Sequence, residues 1–262
     1  TWGMWGIGNY TCLMCWEGDY LVLFNGMVTG APQDQRNNGS NPDSIGTSSY
    51  RVYRNGAEVP PLAVGAGIHV YELPAEPGDY RVELTVPKGE DRAYPRTETT
   101  WTFQAGAPTE EAATPYGYVC IVRLRLGWHD GPCAPTPAVF VSYDLDESLA
   151  LDNTVRAPGA HWFDVYAYHH PSPLPSPAIA GLKLWASYDG GERWVPAQVR
   201  NEGDGKFRVK LVHPPARAEA WQQVSLRVEA WDVEGNRIEQ ITYDAFRLRD
   251  VSSRPTGGFV AS

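Results

Sequence analysis

LKLWASYDGGERWVPAQVRNEGDGKFRVKLVHPPARAEAWQQVSLRVEAWDVEGNRIEQITYDAFRLR, residues 182–249, is a succession of short alternating runs separated by turn residues. Residues 206–212 alternate between charged and apolar side chains, and residues 224–231 repeat the pattern. Such alternation is typical of antiparallel strands that bury one face. The pair Asp189-Gly190 lies between two of these runs, and an Asp-Gly pair in that position is a strong hairpin signal. The stretch therefore predicts a meander of short antiparallel strands.

The whole chain has the composition of an all-β protein with many turns. Its 262 residues include 26 Gly, 22 Pro and 10 Trp, and no long amphipathic helical pattern occurs. Short strands with frequent turn residues are typical of β-sandwiches. We predict two antiparallel β-sandwich domains of immunoglobulin or fibronectin-III type in tandem. Residues 1–105 would form the first domain, 106–115 a linker, 116–250 the second domain and 251–262 a disordered tail.

Charge and hydropathy exclude several classes of partner. The net charge is −9 and no basic cluster occurs, which argues against nucleic acid and anionic membranes as partners. No run of 18 apolar residues occurs, so no membrane span is predicted. The chain starts at Thr1 with neither Met nor a signal peptide, so we expect a processed product or an excised part of a longer chain.

Four cysteines fall into two pairs along the sequence. Cys12 and Cys15 form a C-x-x-C motif, and Cys120 and Cys133 flank an expected hairpin. In an exported protein, two local disulfides are the natural interpretation. A zinc site that uses all four cysteines is an alternative, since C-x-x-C is also a zinc-ligand spacing. Free thiols are a third.

The first 18 residues are rich in Gly and Trp. Trp2, Trp5, Tyr10 and Trp16 are candidates for an aromatic binding surface, because aromatic rings are enriched at binding faces. Packing of these rings in the core is the default interpretation. The polar loop 30–49 is a second candidate contact region.

Two short segments predict structural turns. Residues 187–194, SYDGGERW, have the S-x-D-x-G-x-x-W form of an Asp box, and residues 232–236, DVEGN, also suit a turn. The residues to which we assign a structural role in these turns are Asp189, Gly191, Trp194, Asp232, Gly235 and Asn236.

Acidic residues at 144–152 raise the question of calcium. Carboxylates of Asp144, Asp146 and Asp152 are hard oxygen ligands of the type that calcium takes. They do not follow the spacing of an EF-hand, so we favour solvated turn residues. His169-His170 is a further metal candidate, but no third ligand is placed by spacing. No other metal or cofactor is predicted.

Several segments together resemble a known family. Residues 50–59 (YRVYRNGAEV), 71–84 (YELPAEPGDYRVEL) and 99–106 (TTWTFQAG) resemble the first accessory β-domain behind actinobacterial subtilisin-like (S8) serine peptidases. Residues 141–168 and the stretch 182–240 resemble the second. The two cysteine pairs and the Trp-rich start depart from the family pattern.

The resemblance implies a secreted, extracellular, non-catalytic region. Its partner would be the upstream peptidase domain, a protein substrate or another protein. The subtilase serine motif G-T-S-M-A-x-P is absent, and residues 46–49 (GTSS) share only its first three residues. No G-x-S-x-G occurs either. The alternative function is a carbohydrate-binding or adhesive extracellular module, and an unrecognised hydrolase remains a third hypothesis because triads are geometric.

Overall fold

The protein is all-β. The computed structural model describes residues 10–11, 14–24, 48–65, 68–88, 96–113, 118–119, 132–145, 149–150, 152–215 and 222–250. The strands are β1 (Tyr10–Thr11), β2 (Met14–Glu17), β3 (Tyr20–Phe24), β4 (Ser49–Arg54), β5 (Ala57–Val59), β6 (Ala63–Gly65), β7 (Ile68–Glu72), β8 (Gly78–Val86), β9 (Thr97–Ala105), β10 (Tyr118–Val119), β11 (Cys133–Pro135), β12 (Phe140–Asp144), β13 (Thr154–Ala157), β14 (Gly159–Tyr168), β15 (Ile179–Ser187), β16 (Val195–Pro196), β17 (Gln198–Gly203), β18 (Lys206–His213), β19 (Gln222–Asp232) and β20 (Arg237–Asp250).

These strands form one long sheet and three smaller ones. The long sheet has nine strands in the order β16-β15-β19-β20-β9-β8-β4-β5, with β13 added beside β20. A five-stranded sheet has the order β11-β2-β3-β7-β6, and a four-stranded sheet the order β12-β14-β18-β17. The short strands β1 and β10 pair in parallel. Along the described ranges, no helix is long and apolar enough to cross a membrane.

The alternation noted in the sequence produces the core. Along β18, Phe207, Val209 and Leu211 are buried while the charged residues between them stay partly exposed. β9 follows the same rule, with Trp101 and Phe103 buried. Removing such side chains from water is the main favourable term in folding. The predicted all-β class with antiparallel sheets is confirmed.

Two sandwiches arise because each half of the long sheet packs on a smaller sheet. In the N-terminal half, Trp16 of the five-stranded sheet meets Tyr80 of β8 edge to face, with 5.7 Å between ring centroids. In the C-terminal half, His161 of the four-stranded sheet meets Phe246 of β20 in the same manner at 5.4 Å. Buried residues of both halves belong to one continuous cluster.

Strands β9 and β20 join the halves. They pair in antiparallel fashion from Thr102 opposite Arg237 to Thr97 opposite Thr242. At this seam, buried Gln240 donates from Nε2 to the hydroxyl of Thr99 at 3.1 Å. The sheet therefore continues across the predicted linker 106–115, where the short 3-10 helix Glu110–Ala112 lies. The domain boundaries themselves stay a prediction.

Candidate functional site

The outer face of the long sheet carries half-buried aromatic rings among charged side chains. Alternate residues of β4, β8, β9, β20, β19 and β15 share this face, because side chains alternate along each strand. Cross-strand pairing arranges them in rows. We call the first row, which crosses all six strands, the Tyr53–Trp231 row; its members are Tyr53, Arg81, Thr102, Arg237, Trp231 and Gly181.

Each ring on this face has a cation beside it. The guanidinium of Arg81 lies 4.0 Å from the centre of the Tyr53 ring, and the ammonium of Lys183 lies 5.7 Å from that of Trp231. The two remaining rings are also paired: Arg227 with Trp185 at 5.2 Å and Arg96 with Tyr243 at 4.8 Å. Such contacts hold the rings in place while leaving part of their surface accessible.

Four charged residues brace the centre of the face. Arg227 donates a hydrogen bond to Glu229 at 2.8 Å and forms an ion pair with Glu239 at 2.9 Å. Arg237 donates to the second oxygen of Glu229. Glu229 and Glu239 face each other directly across β19 and β20. Like charges at that position are destabilising unless cations neutralise them. The two arginines therefore fix the surface between the aromatic rings.

A glycine allows Trp231 to lie flat on the sheet. A Cβ at Gly181 would stand 2.4 Å from Cζ2 of Trp231, so any larger side chain would displace the ring. The indole therefore covers the strand at the position where Gly181 has no side chain of its own. The irregular pairing between Ile179 and Gly181 lies at the same point. The result is a ring with one face on the backbone of β15.

A groove opens at the other end of the Tyr53–Trp231 row. It has a volume of about 470 Å³ and lies where β4, β8 and β9 meet the turn after β19. We call it the Tyr53 groove; its lining is Tyr53, Gly56, Asp79, Tyr80, Arg81, Thr102, Phe103, Gln104, Glu234, Gly235 and Asn236. The volume falls within the range of roughly 300–1,000 Å³ that is usual for ligand sites.

Hydrogen bonds set the polar side chains of the groove. Nε2 of Gln104 donates to Oδ1 of Asp79 at 2.7 Å, and the backbone N–H of Asp79 donates to Oδ1 of Asn55 at 2.9 Å. The N–H of Gln104 donates to Oδ1 of Asn236 at 3.4 Å. The groove therefore combines residues from both halves of the chain, which the β9–β20 seam holds together.

The turn after β19 is built around the carboxylate of Asp232. Oδ1 of buried Asp232 accepts from the N–H groups of Glu234 and Asn236, both at 2.9 Å. Its Oδ2 accepts from Nδ2 of Asn236 at 2.6 Å. Gly235 adopts φ +91°, which a residue with a Cβ takes up only under strain. Oδ2 of Asp232 also lies 3.4 Å from Nε2 of His169. The carboxylate therefore holds the turn together and ties it to the neighbouring loop.

The Asp-box hairpin is similarly built from its own side chains. Asp189 accepts the N–H of Arg193 at 2.9 Å and its Nε at 2.8 Å. These bonds to Arg193, joined by one from the hydroxyl of Ser187, lower the pKa of Asp189 to about 2. A Cβ at Gly191 would lie 3.3 Å from Tyr243 and 3.5 Å from Trp194, so both rings pack around the turn.

A buried chain of polar rings joins the C-terminal sheets. Nδ1 of His161 lies 3.1 Å from Nε2 of His213, and Nδ1 of His213 lies 3.0 Å from the hydroxyl of Tyr188. Burial lowers the pKa of His161 to about 3, with His213 adding to the shift, and lowers that of His213 to about 4. Burial also raises the pKa of Tyr188 to about 12. These three side chains are therefore uncharged at neutral pH, and their contacts connect the two C-terminal sheets.

The predicted aromatic surface at the N-terminus does not hold for Trp16. This side chain is 2% exposed and packs on Tyr80 in the core. All four residues of β2 are buried, so the strand has no solvent face on which a ring could be presented. Trp2 and Trp5 lie outside the described residues, as does the loop 30–47. The backbone of Tyr10 lies in β1, but its side chain is outside the description.

Two of the four cysteines lie in the described part. Cys15 and Cys133 are buried and disulfide-bonded, and no cysteine of the described ranges is free. A sulfur in a disulfide cannot ligate zinc, since the metal needs a thiolate. Cys12 and Cys120 lie outside the described residues, so the local pairing stays a prediction.

The calcium candidates do not come together as a ligand set within the described residues. Oδ1 of Asp152 accepts from the hydroxyl of Thr154 at 2.6 Å. That bond lowers the pKa of Asp152, and the charges of Arg249 and Arg247 add to the shift. Asp144 is exposed, and Asp146 lies outside the described residues. Over the ranges that the structure describes, no group of three His, Cys, Asp or Glu side chains could hold a metal ion.

Comparisons with known proteins concern the fold alone. No family model matches the sequence, and no curated protein matches it. Among solved structures, the titin Ig tandem domains A164-A165 cover 92% of each chain at 10% identity with a TM-score of 0.24. The fibronectin(III)-like modules of Clostridium thermocellum CbhA cover 95% of this chain and 93% of theirs at 5% identity with a TM-score of 0.28.

A third solved structure covers a smaller share of its own chain. Bacteroides ovatus SGBP-B, in complex with a mixed-linkage heptasaccharide, matches 77% of this chain and 37% of that chain at 12% identity with a TM-score of 0.18.

Proposed function

We propose that this chain is a non-catalytic binding region that works through the outer face of the long sheet. The observation that carries the proposal is the set of four half-buried rings on that face: Tyr53, Trp185, Trp231 and Tyr243. Aromatic rings combine a large apolar area with few rotatable bonds, so they bind at low entropic cost. Cations and ion pairs hold these rings in position before any partner arrives.

The positions of the five histidines in the described residues support a non-catalytic role. His69, His161 and His213 are 2–7% exposed, and His169 and His170 are half-buried. None of these five is among the outer-face residues. A serine hydrolase needs a histidine in contact with both its serine and the substrate. The interior histidines bond one another, as His161 and His213 do, or the backbone, as His169 does. They therefore contribute to packing between strands.

For the wider protein, we propose a secreted subtilisin-like serine peptidase in which this region is accessory. The support is the sequence resemblance of residues 50–106 and 141–240, together with disulfide-bonded cysteines, which suit an oxidising compartment. The region would stabilise the peptidase or engage its protein substrate or partner. Its place would then be outside the cell.

The link to a peptidase and the binding role are tested separately, the link to a peptidase first. The native product from its source culture is labelled with a fluorophosphonate and its intact mass is determined. A labelled species well above 29.0 kDa that contains these peptides supports the peptidase proposal; an unlabelled species near that mass overturns it.

The binding role is tested in the active, unlabelled full-length enzyme. Trp185→Ala together with Trp231→Ala should raise KM for a folded protein substrate and leave KM for a short peptide unchanged. Trp162→Ala is the control, because Trp162 is 46% exposed but lies on the four-stranded sheet. Equal KM values for all variants would contradict a binding role of the outer face.

A carbohydrate-binding module is the second candidate function. The Tyr53 groove favours it, because an aromatic ring surrounded by carboxylate, amide and guanidinium groups matches a polyhydroxylated ligand.

A further inference from the structure

The Tyr53 groove and the Tyr53–Trp231 row form one continuous track. Tyr53, Arg81 and Thr102 belong to both, and Arg237 and Trp231 extend the row beyond the groove. Tyr53 on β4 and Trp231 on β19 are four strand steps apart, which corresponds to about 19 Å at the usual strand spacing. The track therefore has an aromatic ring at each end and polar side chains between them.

The polar side chains between the rings suit hydroxyl groups. Asp79 and Glu234 supply carboxylate oxygens, Gln104 supplies an amide, and Arg81 supplies N–H donors. A sugar hydroxyl is both donor and acceptor, so it pairs with any of these groups. Mutual bonds fix the orientation of Gln104 on Asp79 and of Asn236 on Asp232 before binding. This arrangement lowers the entropic cost of binding.

The charge of the track argues for a neutral ligand. Arg81 bonds Glu83 at 3.3 Å, and Arg237 bonds Glu229, so both guanidiniums of the row already have a carboxylate. Asp79 and Glu234 add negative charge to the lining, and among the described residues neither carboxylate forms an ion pair. An acidic chain would meet these carboxylates, and like charges that meet on binding cost affinity.

We infer that the track binds a linear neutral polysaccharide, with sugar rings stacked on Tyr53 and Trp231 and hydroxyls bonded to Asp79, Gln104 and Glu234. The inference rests on the proposed binding role of the outer face and does not depend on the peptidase link. The apolar C–H face of a pyranose ring packs on an aromatic ring by burial of apolar area. Gly181 lets Trp231 lie flat on the strand, as stacking requires.

Affinity gel electrophoresis of the whole chain tests the inference. The gels contain soluble β-glucan, xylan, soluble starch or, as an acidic comparator, polygalacturonate. We expect at least one neutral polysaccharide to retard the protein. Tyr53→Ala and Trp231→Ala should each weaken the apparent Kd at least tenfold, and Tyr53→Phe should retain affinity because it keeps the ring. Thermal melting confirms that each variant is folded.

Trp162→Ala is the matched control. Trp162 is also an exposed tryptophan beside a lysine, with Lys210 at 5.1 Å, but it lies on the other sheet. Its removal should leave retardation unchanged. The inference is overturned if no neutral polysaccharide retards the protein, if only polygalacturonate does so, or if Trp162→Ala loses as much as Tyr53→Ala. If no polysaccharide retards the protein but the outer-face variants alter KM for a protein substrate, polysaccharide binding is refuted and the proposed binding role of the outer face is retained.

Discussion

The indole of Trp231 occupies the space where a side chain at Gly181 would be, 2.4 Å from the position of the missing Cβ. The two residues face each other directly across β15 and β19. Glycine in a strand interior usually weakens the strand. Here the indole ring of Trp231 covers the backbone at Gly181. The position of the ring therefore requires the glycine, and the glycine is shielded from solvent by the ring.

Gly181→Ala is expected to destabilise the fold by about 1–3 kcal/mol, the usual cost of overpacking. The added methyl group must push the Trp231 ring off the strand. Urea unfolding followed by tryptophan fluorescence measures the effect. Gly65→Ala is the control, since a Cβ there has open space and Gly65 lies in a strand. Equal midpoints for the two variants would show that the ring does not depend on the glycine.

Stability should fall on acidification below pH 6.5. The pKa values of His161 and His213 are lowered to about 3 and about 4 by burial, so the unfolded chain binds protons that the folded chain excludes. Each excluded proton then costs about 1.4 kcal/mol per pH unit between the unfolded and the folded pKa. Unfolding midpoints measured from pH 7 to pH 4 test this. The variant His161→Phe should show a shallower decline, and an identical decline would exclude the pair as its source.

Replacing Asp232 tests the turn that closes the Tyr53 groove. Asp232→Ala leaves the N–H groups of Glu234 and Asn236 without their acceptor. We expect a loss of about 2–4 kcal/mol, because the N–H and the Nδ2 group of buried Asn236 both lose their acceptor, and buried donors without partners cost about 1–3 kcal/mol each. Chemical denaturation measures it. Glu234→Ala removes an exposed carboxylate from the same turn and should change stability by less than about 0.5 kcal/mol. Similar losses for both variants would argue against the hydrogen bonds as the cause.

The seam between β9 and β20 makes the two sandwiches interdependent. Gln240→Leu leaves the hydroxyl of Thr99 without its partner and should cost about 1–3 kcal/mol. Circular dichroism and tryptophan fluorescence should still give one coincident unfolding transition. Gln198→Leu on the exposed strand β17 is the control. Two separate transitions in the parent protein would show that the seam does not couple the halves.

Peptide mapping without reduction tests the cysteine pairing. We expect the local pairs Cys12–Cys15 and Cys120–Cys133, because each closes a short segment of chain. Mass spectra of the digest before and after reduction identify the linked peptides. A peptide that joins residues from both pairs would refute local pairing.

Period-two alternation predicted most strands of the core. It placed β18 and the meander of residues 182–249 correctly, because burial of one face is visible in a local pattern. The pairing of β9 with β20 was not predictable in this way. It joins Thr102 to Arg237, and pairing over so long a separation leaves no trace in local alternation.

The outer-face aromatics were missed, although the sequence held a signal for them. Trp185 and Lys183 lie on the same, outer face of β15, and Trp231 and Arg227 lie on the outer face of β19. An aromatic residue among the alternate positions that otherwise carry charged side chains indicates a ring at the surface of the sheet. The choice of Trp16 failed because both faces of β2 are buried, so its strand has no exposed phase.

The shared ladder also determines what happens if the halves are separated. Strand β9 has nine residues and β20 has fourteen, and the β9–β20 contact covers an edge of each. Cutting the chain between them would expose rows of unpaired N–H and C=O groups, which are templates for pairing with another copy. Each isolated half would then tend to self-associate through its bare edge, so the two sandwiches protect one another from aggregation.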